Sequence, residues 1–178
     1  MEGFGLKASD TTFAGILGAF SSLEEGKKIH SRAHARQGEA VQALELFERM
    51  ELEPNEVTFA SVFNACSLML DHREVGKRIQ DRIRGSHLEA NVTVATAIVT
   101  MYRKFGKVGM ARQVFNGIQH KNVVSWNAML GAYTQNNLDR EALEVYHEMV
   151  AQKVHRDEVT VVIALGISAS LRLLKLGR

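Results

Sequence analysis

One cysteine and one proline among 178 residues set the first limits. Cys66 has no second thiol in the chain, which excludes an intramolecular disulfide and any Cys-rich zinc site. One proline with 14 glycines fits a helical protein with many short turns. Long apolar runs are missing too. The longest, "VTVVIALGISASL" at 159–171, is too short and too interrupted by Gly and Ser to span a bilayer, so no membrane partner is expected. The first ten residues, "MEGFGLKASD", carry two acids and no apolar centre, so no signal or transit peptide is visible. Excess charge of either sign is absent: 22 Lys and Arg against 20 Asp and Glu leave +2, which decides nothing about partners. A Gly-rich phosphate loop and a Ser/His/Asp grouping at a recognisable spacing are also missing, so no catalysis is expected. His30 and His34 stand i, i+4, but no Glu follows His30 and no third ligand recurs, so neither metal nor cofactor is expected.

What the chain does have is repetition. "HARQGEAVQALELFERM" (34–50), "YRKFGKVGMARQVFNGI" (102–118) and "YTQNNLDREALEVYHEM" (133–149) superimpose. A ring residue (His34, Tyr102, Tyr133) is followed by an alanine (Ala43, Ala111, Ala142), then an aromatic (Phe47, Phe115, Tyr146), then Met50, Ile118 or Met149. The alanine permits close helix approach, and the large residues fill the groove around it. A second set, "DTTFAGILGAF" (10–20), "EVTFASVFNAC" (56–66) and "EVTVVIALGIS" (158–168), shares a threonine before an aromatic or apolar residue. Glycine-basic elements follow at "GKKIHSR", "GKRIQDR" and the terminal "GR".

The apolar period is helical throughout. Trp126, Met129, Leu130 and Tyr133 form an i, i+3, i+4, i+7 stripe; Leu138, Ala142, Val145, Tyr146 and Met149 continue it on a second helix. Val94, Ile98, Met101, Tyr102 and Phe105, then Val108, Ala111, Val114, Phe115 and Ile118, do the same one hairpin earlier. Gly106 and Asn136-Asn137 fall between stripes, where helix–helix turns belong. Thr93, Ser125 and Asp139 are expected as N-caps. The expected fold is all-α, a solenoid of stacked antiparallel hairpins in which each unit buries its apolar face on its neighbours. Trp126 reads as a core anchor, Cys66 as a small core residue. Lys77, Arg78, Arg82 and Arg84 read as a solvated face of a second helix.

"NVVSWNAMLGAYTQNNLDREALEVYHEM" resembles the pentatricopeptide repeat (PPR), and the alternating unit lengths resemble its plant-type variant. The resemblance divides the chain into shortened or degenerate units at 1–55, a long repeat at 56–91, a short one at 92–122, a standard one at 123–157 and an incomplete one at 158–178. It implies sequence-specific single-stranded RNA binding, about one base per repeat, in support of organellar RNA processing or editing without catalysis of its own. The family's edge-reading positions are the fifth and last residues of a repeat, and an apolar second residue sandwiches the base. By that resemblance, Asn127 and Asp157 read one base as a uracil-preferring pair, with Val124 and Val159 stacking on it. Thr96 and Asn122 resemble the adenine-preferring pair. Ala60 and Asn91 are weaker candidates, because the long class follows the code poorly. Lys104 sits where the family often places a phosphate contact. From the chemistry alone, an amide carries both donor and acceptor and could match a pyrimidine edge that presents both.

The family pattern breaks between residues 17 and 56, so no base-reading role is assigned to residues 1–55. Editing relatives carry a zinc deaminase whose ligands one cysteine cannot supply. Mitochondrion or chloroplast is the location the resemblance implies, with other RNA-processing proteins as further partners. Val161, Ile163 and Leu165 are expected to form an uncovered face through which the chain self-associates. A helical scaffold for a protein partner and a truncated, non-functional fragment are the competing readings.

Overall fold

The computed structural model describes residues 29–50, 53–69 and 73–176, with side chains between 38 and 172. "DTTFAGILGAF", the "GKK" of "GKKIHSR", the terminal "GR" and the side chains of His30 and His34 lie outside what is described. Among the described residues eight helices follow one another: α1 (Ile29–Glu48), α2 (Glu56–Cys66), α3 (Arg73–Ile83), α4 (Val92–Lys104), α5 (Val108–Gly117), α6 (Val123–Thr134), α7 (Asp139–Ala151) and α8 (Glu158–Leu176). No strand occurs among the described residues.

The starts of α2, α4, α6 and α8 are set by asparagine or aspartate. Asn55 accepts from the Thr58 N–H, Asn91 from Thr93 and Val94, and Asn122 from Ser125, each at the residue just before a helix. Asp157 takes the same place before α8, accepting from the Thr160 N–H at 2.8 Å. The expected caps therefore need correction. Thr93 and Ser125 lie inside the first turn and donate to the true caps, because an amide two or three residues earlier reaches the free N–H groups. Asp139 is the first residue of α7, whose cap position is Leu138 without a side-chain bond.

Two of the turns repeat the same closure. Gly106 adopts φ +69 and the next N–H, from Lys107, bonds Tyr102 O at 2.9 Å. Asn137 adopts φ +58 and Leu138 N–H bonds Tyr133 O at 3.0 Å. Both are left-handed terminations that satisfy a carbonyl of the last helical turn, a conformation glycine enters freely and asparagine tolerates.

Helices α2, α4, α6 and α8 pack successively on one another as one layer. Helices α5 and α7 each pack on the first helix of their own hairpin and on that of the next, while α3 packs on α2. Close stacking on the first-helix side turns that side inward. Ala43, Ala111 and Ala142 are buried to within 1% of complete, as the close-approach argument requires. Trp126 is fully buried and meets Phe115 edge-on, with ring centroids 4.9 Å apart. Gly76, in α3, has no room for a side chain, since a Cβ there would run into Met101 Sδ. Cys66 packs beside it, and burial pushes its thiol pKa up to about 12. Lys77, Arg78 and Arg82 on α3 and Arg84 just after it all face solvent; Arg78 and Arg82 approach Glu48, and Arg84 pairs with Asp81.

Candidate functional site

The first helices begin at Glu56, Val92, Val123 and Glu158, which fixes a common register. Their second residues are Val57, Thr93, Val124 and Val159, and the three valines are 49, 58 and 55% exposed. A single exposed valine is ordinary. The same apolar exposure recurs at this register on α2, α6 and α8, while α4 carries the exposed Thr93 there.

Beside Thr93 and Val124 lies an open groove of about 400 Å³. Thr96 and Thr100 of α4 line it with Ala60 and Asn64 of α2, Asn122 and Val124. Thr96 donates its hydroxyl proton to Val92 O at 2.6 Å, leaving lone pairs available. Asn122 spends its Oδ1 on the Ser125 N–H at 2.9 Å, which leaves its NH2 as a donor. No hydrogen bond joins Thr96 to Asn122 among the described residues; they share the groove wall instead.

One repeat further on, the polar residues do meet. Asn127 donates from Nδ2 to Asp157 Oδ1 at 2.9 Å. The Thr160 hydroxyl lies 2.7 Å from both Asn127 Oδ1 and Asp157 Oδ1 and shares its single proton between them. These contacts fix the amide orientation, because reversing it would set two acceptors against each other. One N–H of Asn127 and the second oxygen of Asp157 remain free of these bonds. The Thr160 N–H, the Thr160 hydroxyl and the Asn127 amide, in that order, hold the Asp157 carboxyl below its usual pKa of 3.8. Val124 and Val159 stand on either side of this cluster in the register.

The remaining sequence candidates are placed individually. Asn91 caps α4, and Ala60 is buried in the groove floor, with no bond between them among the described residues. Lys104 is exposed at the end of α4. Thr160 carries no site role in the sequence reading, although it is fully buried and holds both partners of the pair. Its signal was available: Thr58 stands three residues after Asn55 and donates to it by both N–H and hydroxyl. Among the described residues no three His, Cys, Asp or Glu side chains come together as a metal site, and no helix is long and apolar enough to cross a membrane.

Comparison with known proteins agrees with this architecture. The model of the PPR repeat family matches residues 121–166, and that of the PPR repeat matches 32–53. The chain is 38% identical over 148 residues to the chloroplastic pentatricopeptide repeat-containing protein At1g11290 of Arabidopsis thaliana, covering 82% of this chain and 18% of that protein. It is 41% identical over 120 residues to At4g15720 of the same plant, covering 64% and 19%. The chain thus spans about a fifth of the length of these relatives. Among solved structures, that of PPR10 in complex with an 18-nt psaJ RNA element superimposes with a TM-score of 0.73 at 24% identity, over 97% of this chain and 24% of that one. PPR10 from maize superimposes with a TM-score of 0.62 at 19% identity, over 96% and 28%. Repeated hairpins, a common helix register and these matches together make the chain a member of the pentatricopeptide repeat family.

Proposed function

We propose that the chain binds single-stranded RNA along its first-helix layer, reading adenine at Thr96 and Asn122 and then uracil at Asn127 and Asp157. The observation that carries this reading is the polar cluster of Asn127, Asp157 and Thr160 flanked in register by exposed Val124 and Val159. A base between the two valines would cover both with its faces and turn its edge to the cluster. The free oxygen of Asp157 accepts from the uracil N3–H, and the free Asn127 N–H donates to a uracil carbonyl. Cytosine presents an acceptor at that ring nitrogen, which the carboxylate repels. At the preceding groove, the Thr96 lone pairs accept from the adenine amino group and the Asn122 NH2 donates to an adenine ring nitrogen. Lys104 contacts the phosphate backbone, and Ala60 with Asn91 form a third, less selective position. That PPR10 was solved with a bound RNA element supports the reading.

The proposed setting is organellar RNA processing or editing, in mitochondrion or chloroplast and beside other RNA-processing proteins; two relatives are named chloroplastic, which supports an organelle. Self-association belongs to the same proposal. Val161, Val162 and Leu165 are 52, 68 and 66% exposed on α8, whereas Phe63, Val99 and Leu130, at the Leu165 register, are covered by the next hairpin. Ile163, expected in that exposed face, is half-buried against the core, so Val162 takes its place.

Fluorescence anisotropy with short labelled RNAs tests the reading. An adenine–uracil step should bind tightest, replacing the uracil should weaken binding, and Asn127→Ala should abolish that difference. Equal affinity for RNAs with and without the step would refute the assignment.

A further inference from the structure

The groove-facing residues of α4, namely Thr93, Thr96, Ala97 and Thr100, follow helical spacing. The next turn of that stripe holds Arg103 and Lys104. Lys104 is exposed, but Arg103 is half-buried, and its side chain lies across the neighbouring helix against Gly131. A Cβ on Gly131 would stand 2.7 Å from Arg103 Nη1 and 3.8 Å from its Cδ and Cζ. Gly131 is the counterpart on α6 of Thr100 on α4 and Asn64 on α2, both of which line the groove with side chains. At this repeat the groove wall is therefore supplied from the previous helix, by a guanidinium seated in the notch that glycine leaves.

That guanidinium has no carboxylate partner among the described residues, and its Nε is buried without an acceptor. Four other arginines do have one: Arg78 and Arg82 have Glu48, Arg84 has Asp81, and Arg112 has Glu148. A half-buried cation without a counter-ion is unfavourable unless an anion arrives. Burial already pulls its pKa down from the ordinary arginine value, but a guanidinium stays charged at neutral pH. Its planar fork matches a phosphate in two-point contact.

We propose that Arg103 is a further RNA contact, binding the phosphodiester between the nucleotides held at Thr96 and at Asn127. The proposal rests on the RNA-binding reading given above. Gly131 is its enabling residue, because any side chain there would occupy the seat.

The test is anisotropy with the same single-stranded RNAs between about 50 and 200 mM salt, alongside thermal unfolding. Wild type, Arg103→Gln, Arg103→Met and Gly131→Ala are compared. Arg103→Gln should weaken binding roughly three- to tenfold for every RNA sequence and make the salt slope shallower by about 0.7, one phosphate contact on a single strand. Gly131→Ala should weaken binding although the arginine is still present, because its seat is filled. Arg103→Met should unfold at the wild-type temperature or above, since no ion pair is lost. Salt-dependent wild-type binding with an unchanged Arg103→Gln affinity and slope would overturn this assignment alone. No wild-type binding at any salt would overturn the RNA reading on which it rests. A loss confined to one base identity would show a base contact, and a lowered unfolding temperature in Arg103→Met would show a structural role; either result overturns the phosphate assignment.

Discussion

Thr160→Val keeps the shape of a fully buried side chain and removes only its hydroxyl. The hydroxyl lies 2.7 Å from Asn127 Oδ1, and Asn127 is itself only 9% exposed, so solvent cannot readily replace the lost donor. Leaving a buried acceptor unsatisfied costs about 1–3 kcal/mol. The Thr160 N–H still caps from Asp157, so the helix start survives and the lower part of that range, about 1–2 kcal/mol, applies. For a chain of this size that corresponds to roughly 2–8 °C in Tm. The second effect is on recognition. Without the hydroxyl, Asn127 keeps one tether, its Nδ2 bond to Asp157, and can rotate about it. Discrimination between uracil and cytosine should therefore shrink while total RNA affinity changes little. Thermal circular dichroism and anisotropy with paired RNAs measure the two effects, and Thr160→Ser, which keeps the hydroxyl, should preserve the base preference. A valine variant with wild-type Tm and wild-type uracil preference would refute the argument that Thr160 holds the pair.

Three other perturbations test separate parts of the structure. The Asp157 pKa is depressed, so its contribution is present above the usual carboxylate value of 3.8 and is lost only as pH falls through the lower folded-state value. Uracil preference should accordingly hold from neutral pH down to about 5 and fail only below about 4; a preference that fades between pH 7 and 5 would contradict it. Asn122→Ala removes the α6 cap and a groove donor together, so it should cost about 1 kcal/mol in chemical denaturation and relax the adenine preference in the same protein. Gly76→Ala should destabilise by about 1–3 kcal/mol despite better helix propensity, because Met101 must move within a filled core; an unchanged denaturation midpoint would show that the methionine yields freely.

The all-α architecture was legible because alanine and aromatic spacings recur at helical period. Ala111 and Ala142 are the buried close-approach points they were expected to be, and Trp126 the filled anchor. Cap identity was less legible. Thr93 and Ser125 are good capping residues by type, and only the backbone shows that Asn91 and Asn122 come first. The exposed face of α8 was read one residue off, at Ile163 instead of Val162, because apolar character alone does not say which side of a helix meets the previous repeat. The register placed Asn127 and Asp157 as a pair, and the threonine shared by the aligned segments, Thr58 and Thr160, stood beside it without being given a role. Arg103 was invisible for a different reason: its setting depends on the absence of a side chain on another helix.

One of the residues that start the helices, Asn122, also borders the groove, and Asp157 joins Asn127 in the polar cluster. Asn55, Asn91, Asn122 and Asp157 each hold the first turn of the helix that follows. Only a few side chains, chiefly asparagine, aspartate, serine and threonine, do that well. The set of residues available at this cap position is thereby restricted before any nucleotide is considered. Lysine, arginine or glutamate there would leave the next repeat without its cap, whatever base they could recognise. Under the proposed RNA reading, a recognition code written at this position has a small alphabet because each letter must also be able to begin a helix.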